Sequence, residues 1–169
     1  MRNVEKTIAL ARKKGVFVVT AESLTAGLIA SSFAEIPGAS DVLLAGFVVY
    51  TPQAKTELLS VGRDLIERCG VVSEDVAKAM AAGALFRGAE ISGSENVIAA
   101  AVTGIAGPAG GTETQPVGTV CCAVSRFFCE RVVYTESETC RFSGERNEIR
   151  EKTAEHVISR ILQILEKNF

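Results

Sequence analysis

The chain has 169 residues and a formal net charge of −2, and 47% of its residues are hydrophobic but only 6% aromatic. A chain of this length can bury roughly two thirds of its unfolded surface, so we expect one domain over residues 1–169. The near-neutral charge gives no electrostatic reason to expect a nucleic-acid partner. No apolar stretch reaches the roughly 18 residues of a membrane span, and the N-terminus lacks the apolar segment of a signal peptide. We therefore expect a cytoplasmic protein with neither nucleic-acid nor membrane partners.

Hydrophobic periodicity predicts helices and strands that alternate over most of the chain. In chain order they are helix 2–14, strand 16–21, helix 24–35, strand 42–50, a helix that begins at Pro52, helix 64–68, helix 74–90, strand 96–103, strands 117–124 and 129–138, and helix 144–167. Strands separated by helices imply parallel crossovers, and the last two strands imply an antiparallel hairpin. The fold class expected is α/β, a three-layer α/β/α sandwich with a mixed, mostly parallel sheet of about five strands.

The five cysteines are odd in number and show no Cys-x-x-Cys spacing. Adjacent Cys121 and Cys122 would point to opposite faces of a strand, which suits neither a metal site nor a mutual disulfide. We therefore expect reduced thiols, as is usual in a cytoplasmic protein.

Ser23 lies where the first predicted strand meets the next predicted helix. In an α/β sheet this is the carboxyl end of a strand, where ligands bind. Backbone N–H groups that begin a helix lack intrahelical partners, and those near residues 24–26 could stabilise an oxyanion while the hydroxyl attacks a carbonyl. A serine at this place can equally be a simple helix N-cap.

A nucleophilic serine needs a base, and the single histidine, His156, is predicted to lie among surface residues midway along the last helix. A lysine can replace it if its pKa falls from about 10.4 toward roughly 7–8 through burial and a helix N-terminus. Lys55 is predicted to lie in the first turn of the helix that Thr51 caps, and Tyr50 could orient it or relay the proton. The alternative for Lys55 is a solvated side chain paired with Glu57 or another neighbour.

Two further features favour an anionic ligand. The loop over residues 104–112 holds four glycines and one proline, so its backbone N–H groups could surround an anion. Arg146 and Arg150 are one helical turn apart and could grip a phosphate or carboxylate together. A plain connection between strands, and two exposed arginines offset by glutamates, remain open as the alternatives.

Several motifs together resemble the CinA C-terminal domain family. They are Thr20-Ala-Glu-Ser-Leu-Thr-Ala-Gly27, Gly46-Phe-Val-Val-Tyr50 with Ala54-Lys55, Thr103-Gly-Ile-Ala-Gly-Pro108 with Gly110-Gly111, Pro116-Val-Gly-Thr-Val120, and Gly144-Glu-Arg146. They follow the order and spacing of that family from about residue 5 to residue 166. The Thr-Gly-Ile-Ala-Gly-Pro motif followed by Pro-Val-Gly-Thr-Val is the most specific part of the resemblance.

The resemblance implies a nicotinamide-nucleotide amidase, which hydrolyses nicotinamide mononucleotide to nicotinate mononucleotide and ammonia in pyridine-nucleotide recycling. It implies Ser23 as nucleophile, Lys55 as general base and Tyr50 as its partner, with no metal and no cofactor. The substrate-binding residues expected on this basis are Thr25, Thr103, Gly104, Gly107, Gly110, Gly111 and Arg146, the last as a candidate for the phosphate.

Leu24 and Ala26 stand where the family usually has cysteine and glycine. The methyl group of Ala26 lies where backbone could approach the substrate closely. A catalytically silent nucleotide-binding module with a regulatory role is therefore the competing hypothesis. We also expect the stand-alone form of the domain and a homo-oligomer.

Overall fold

A computed structural model describes residues 2–128 and 132–167. Within these ranges the chain forms six α-helices, five β-strands and a short 3-10 helix. The helices are α1 (Asn3–Lys14), α2 (Leu28–Ala34), α3 (Pro52–Leu59), α4 (Arg63–Cys69), α5 (Glu74–Ser92) and α6 (Arg146–Glu166), and the 3-10 helix is Ala39–Asp41. The strands are β1 (Phe17–Glu22), β2 (Leu43–Val48), β3 (Val97–Gly104), β4 (Thr119–Phe128) and β5 (Val132–Arg141).

The five strands form one sheet in the order β2-β1-β3-β4-β5. Strand β1 pairs in parallel with β2 and with β3, whereas β4 is antiparallel to both of its neighbours. Four strands therefore run in one direction and only β4 runs against them, which confirms the mixed α/β sheet. The hairpin differs from its predicted bounds because β4 continues to Phe128, and the predicted start of the next strand at 129 lies outside the described residues.

Two hydrophobic cores lie on opposite faces of the sheet because successive strand residues alternate in direction. Val18 faces one core, which α1, α2 and α6 cover, and Val19 faces the other, which α3 and α5 cover. Cys121 and Cys122 likewise enter different cores, as their adjacency predicts. This arrangement is the expected three-layer sandwich.

Three helix ends, at Gly15, Thr51 and Ser73, lie where their sequence signals predict them. Gly15 ends α1 in the left-handed conformation. The hydroxyl of Thr51 accepts from the backbone N–H of Ala54 at 3.1 Å, and that of Ser73 accepts from Val76 at 3.2 Å. Among the described helices, none combines the length and the apolar character needed to cross a membrane.

Helix α2 begins at Leu28, so its predicted start at residue 24 is wrong. Residues 23–27 form a tight turn in which Ala26 has φ +50° and Gly27 has φ +94°. The buried carboxylate of Glu22 replaces the expected serine cap. It accepts from the backbone N–H groups of Gly27 (2.9 Å), Ile29 (3.1 Å) and Ala30 (2.9 Å), and also from the Thr20 hydroxyl (3.0 Å). Glu22 therefore ties the end of β1 to the start of α2 and leaves the intervening turn outside the helix.

We expect Glu22→Gln to lower the free energy of unfolding by about 2 kcal/mol, because an amide NH₂ would face backbone donors that the carboxylate now accepts. Urea unfolding followed by circular dichroism measures the change. Glu35→Gln is the matched control, because Glu35 follows the end of α2 and is exposed, with a surface ion pair to Arg2. Equal stability of the two variants would contradict the role given to Glu22.

Candidate functional site

The site lies at the sheet edge where the parallel strands β1, β2 and β3 end. Ser23 directly follows β1, and its backbone N–H donates to the carbonyl of Val102 in β3 at 3.2 Å. On the other side of β1, the backbone N–H of Val49 donates to the Glu22 carbonyl at 2.8 Å. These backbone hydrogen bonds fix Ser23 between the end of β3, which carries Thr103, and the segment after β2, which carries Tyr50.

The amine of Lys55 contacts the hydroxyl of Ser23. Lys55 Nζ donates to Ser23 Oγ at 3.0 Å and to the Val49 carbonyl oxygen at 2.7 Å. Lys55 is fully buried, at 0% exposure, and Ser23 is 9% exposed. The alternative of a solvated Lys55 paired with Glu57 is wrong, because Glu57 instead forms an ion pair with Arg63 at 3.0 Å.

Burial changes the protonation of this lysine. It lowers the pKa of Lys55 from 10.5 to about 8, because removal of water disfavours the charged ammonium. At this pKa, roughly one lysine in ten is neutral at pH 7. A neutral amine within hydrogen-bond distance of a serine hydroxyl has the geometry and the basicity of a general base.

In the described part of the chain, Tyr50 forms no hydrogen bond with Lys55, although the resemblance implies that the two are partners. The side chain of Tyr50 is 53% exposed, and its hydroxyl accepts from Arg146 at 3.0 Å. Because successive side chains alternate along an extended segment, Tyr50 points away from the core that buries Val49. Tyr50 therefore lies at the wall of the cavity beside Ser23 and not against the lysine.

A cavity of about 430 Å³ opens over Ser23. The predicted residues that line it are Ser23, Tyr50, Thr103, Gly104, Gly107, Gly110 and Arg146. Two predicted substrate-binding residues do not line it. Thr25 is fully buried, with no partner for its hydroxyl in the described part of the protein, and the backbone of Gly111 packs against Val117.

A larger groove, of about 610 Å³, lies between α1, α2 and α6. Its polar lining includes Arg2 and Glu35, which form an exposed ion pair with each other. The smaller cavity is therefore the better candidate for a catalytic site, because Ser23 lines it and the buried amine of Lys55 contacts Ser23.

The segment Gly70–Val72 also lines the cavity, and sequence reasoning did not include it. The Thr103 hydroxyl donates to the Val71 carbonyl at 2.8 Å, and the Gln115 amide donates to the Val72 carbonyl at 2.8 Å. The Thr103 hydroxyl thus fastens this wall. Ser73 signalled the start of α5, but no local pattern indicated that the preceding residues fold over the glycine loop.

The two arginines of α6 do not form a single fork. Arg146 donates to the Gly107 carbonyl at 2.6 Å as well as to Tyr50. Arg150 donates to the carbonyl oxygens of Leu24 and Thr25, each at 3.0 Å. Arg146 therefore holds the glycine loop (residues 104–112), and Arg150 holds the serine turn (residues 23–27).

Backbone donors beside Ser23 differ from those expected. The N–H of Ala26 is used within the turn, because it donates to the Ser23 carbonyl at 3.0 Å. Within residues 2–128 and 132–167, the N–H groups of Leu24 and Thr25 have no protein acceptor. Since a trans peptide directs its C=O and N–H oppositely, the bond from Arg150 to the Leu24 carbonyl also orients the Thr25 N–H. These two donors lie next to the nucleophile in sequence.

Replacing Lys55 tests how strongly burial destabilises its ammonium form. A pKa lowered from 10.5 to about 8 corresponds to roughly 3 kcal/mol at neutral pH, offset by about 1 kcal/mol for the lost bond to Val49. We therefore expect Lys55→Met to raise the free energy of unfolding by about 1–2 kcal/mol at pH 7. The penalty exists below the folded-state pKa, so the gain should shrink between about pH 8 and about pH 10.5.

Denaturant unfolding across this pH range measures the effect. Lys78→Met is the control, because Lys78 is exposed on α5. A Lys55→Met variant that is less stable by the same amount at every pH would contradict a lysine held with a lowered pKa.

Comparison with known proteins places this chain in a family. The CinA C-terminal domain profile matches residues 2–165. A CinA-like protein of Mycolicibacterium paratuberculosis is 47% identical over 148 residues, 86% of this chain, and the chain spans about one third (33%) of that curated relative. Two similar solved structures are a competence or damage-inducible protein from Enterobacter asburiae (29% identity, TM-score 0.85, covering 97% of this chain and 96% of that one) and the competence/damage inducible protein CihA from Agrobacterium tumefaciens (36% identity, TM-score 0.81, covering 99% and 98%). The chain belongs to the CinA C-terminal domain family.

Proposed function

We propose that this protein is a serine amidase that converts nicotinamide mononucleotide to nicotinate mononucleotide and ammonia. The observation that carries the proposal is the 3.0 Å contact between the buried Lys55 Nζ and the Oγ of Ser23, which lines the cavity. The family resemblance supplies the substrate, and the contact supplies a means to activate the nucleophile.

The reaction proceeds through two acyl-transfer steps. Neutral Lys55 accepts the hydroxyl proton of Ser23 as Oγ attacks the carboxamide carbon, and the carbonyl π-bond electrons move to oxygen. The tetrahedral intermediate then collapses, the C–N bond breaks, and the Lys55 ammonium donates the proton to the departing nitrogen, which leaves as ammonia. Water, deprotonated by Lys55, attacks the resulting ester, and the acid leaves as Ser23 regains its proton.

The serine turn supports the developing oxyanion. The N–H groups of Leu24 and Thr25 are the candidate donors, and removing one such donor typically costs about 10²–10³ in rate. Arg150 acts as a positioning residue, because its guanidinium holds the carbonyls of this turn at 3.0 Å and does not line the cavity.

The cavity is consistent with a mononucleotide. Its volume of about 430 Å³ lies within the roughly 300–1,000 Å³ typical of small-ligand sites. Arg146 lines it and uses only part of its five N–H donors on Gly107 and Tyr50, so a phosphate could add to or displace these bonds. Gly107 and Gly110 have φ of +78° and +90°, conformations that favour glycine and that shape the wall next to Arg146.

Ala26 is accommodated at a cost that leaves the serine in place. Its φ of +50° is left-handed, which costs an alanine roughly 1 kcal/mol and accounts for the glycine that the family usually has there. The turn nevertheless keeps Ser23 on Lys55.

The test is ammonia release from nicotinamide mononucleotide by purified protein, compared with Ser23→Ala and Ser31→Ala. We expect Ser23→Ala to lose about 10³-fold or more in kcat, because the variant lacks the hydroxyl that forms the acyl-enzyme and direct attack by water is much slower. Ser31 lies exposed on α2, so its variant should keep parental activity.

Two outcomes would contradict the proposal. Full turnover by Ser23→Ala would remove the serine from the mechanism. Calorimetric binding of the mononucleotide without any deamidated product would favour the catalytically silent nucleotide-binding module instead.

A further inference from the structure

Four side chains with metal-binding atoms meet beside the β4–β5 hairpin, away from the serine. Cys122 lies directly opposite Glu138 in the antiparallel register, and Cys140 lies two residues beyond Glu138 on the same face of β5. His156 reaches the same point from α6. The ligating atoms of Cys122, Glu138, Cys140 and His156 all lie within 4.8 Å of one another.

Two of the six separations between these atoms fall within the range of a tetrahedral centre, and none of the six exceeds 4.8 Å. Ligands bound to zinc at roughly 2.0–2.3 Å in a tetrahedron lie roughly 3–4 Å from each other. Cys140 Sγ is 3.4 Å from His156 Nε2, and that nitrogen is 3.0 Å from Glu138 Oε1. A single ring nitrogen therefore faces both a thiol and a carboxylate at the spacing that a shared cation requires.

Arg160 and Phe142 lie next to these four side chains. Two thiolates and one carboxylate would leave a divalent cation with a net charge of −1, and Arg160 supplies the opposite charge through its 2.8 Å contact with Glu138 Oε1. The ring of Phe142 packs edge-on against the imidazole of His156, with centroids 5.8 Å apart, and limits its rotation. Contacts of this kind, from residues that do not bind the metal themselves, orient metal ligands.

We propose that Cys122, Glu138, Cys140 and His156 bind a thiophilic divalent cation of the zinc class, as a site that fastens the β4–β5 hairpin to α6. The two sulfur atoms, one imidazole and one carboxylate are a donor set that suits tetrahedral zinc. Burial raises the pKa of both thiols, so the binding cation displaces two protons as the thiolates form.

The site is separate from the proposed amidase chemistry. Arg150, which contacts the serine turn, and His156 are six positions apart on α6, and at 1.5 Å per residue this is about 9 Å along the helix. With all four positions filled by protein side chains, the cation is structural. It stabilises the folded chain by RT ln(1 + c/Kd), where c is the cation concentration, so the gain grows with the logarithm of that concentration once it exceeds Kd.

The test is titration of the full, reduced chain with Co²⁺ and then Zn²⁺, followed by absorbance. We expect one equivalent of cobalt to produce the visible bands of a tetrahedral site together with near-ultraviolet thiolate absorption, and zinc to displace it. Cys140→Ser, which changes a half-buried residue, should weaken binding roughly 100-fold or more, and Glu138→Gln by roughly 10-fold.

Cys121→Ser is the matched control, because Cys121 is the next residue on β4 but faces the opposite core. It should bind cobalt like the parent, and its circular dichroism and that of Cys140→Ser should show that both fold. Absence of the thiolate band in the parent, equal affinity of the parent and Cys140→Ser, or a spontaneous Cys122–Cys140 disulfide with no metal affinity after reduction would overturn the proposal. These readouts are independent of amidase activity, so either proposal can fail alone.

Discussion

The contact between the buried amine of Lys55 and the hydroxyl of Ser23 is the interaction on which this site depends. The lysine exchanges water for two oxygen atoms, Ser23 Oγ and the Val49 carbonyl. Two hydrogen bonds do not replace full hydration, so the ammonium form is destabilised and its pKa falls to about 8. The free-energy cost of burying this amine therefore appears as a lowered pKa, which makes part of the lysine neutral and able to accept a proton next to the nucleophile.

Both partners are held by rigid backbone. Thr51 caps α3 and Pro52 begins it, so the backbone of Lys55 is fixed in the first turn of a short helix. On the other side, the Glu22 carboxylate collects three N–H groups at the start of α2 and shapes the turn that presents Ser23. Arg150 fixes the outer carbonyls of the same turn. Preorganisation of this kind means that little motion is needed before reaction.

The sequence allowed the α/β sandwich and the caps of α3 and α5 to be predicted, because each leaves a local signal. Local signals left Lys55 open between a solvated side chain and a base, and the pairing of Ser23 with Lys55 was predicted from the family resemblance. Strand ends, Thr51-Pro52 and the glycines of the 104–112 loop are readable from neighbouring residues. The start of α2 was misplaced because a carboxylate before the serine acts as the cap, and a glutamate there has no distinctive pattern. The partners of Tyr50, Arg146 and Arg150 depend on how α6 docks, which no local spacing encodes. The sequence predicted no metal site at Cys122, because the cluster proposed above as a cation site forms only through the register of β4 with β5 and the docking of α6.

The most direct measurement of the central claim is the titration of Lys55 itself. Isotope-detected NMR of the lysine ε-position, assigned by the signal missing from Lys55→Met, reports its charge from about pH 6 to about pH 11. A buried amine bonded to Ser23 should titrate with a midpoint near 8. A midpoint near 10.5, the ordinary value of a solvated lysine, would contradict the account.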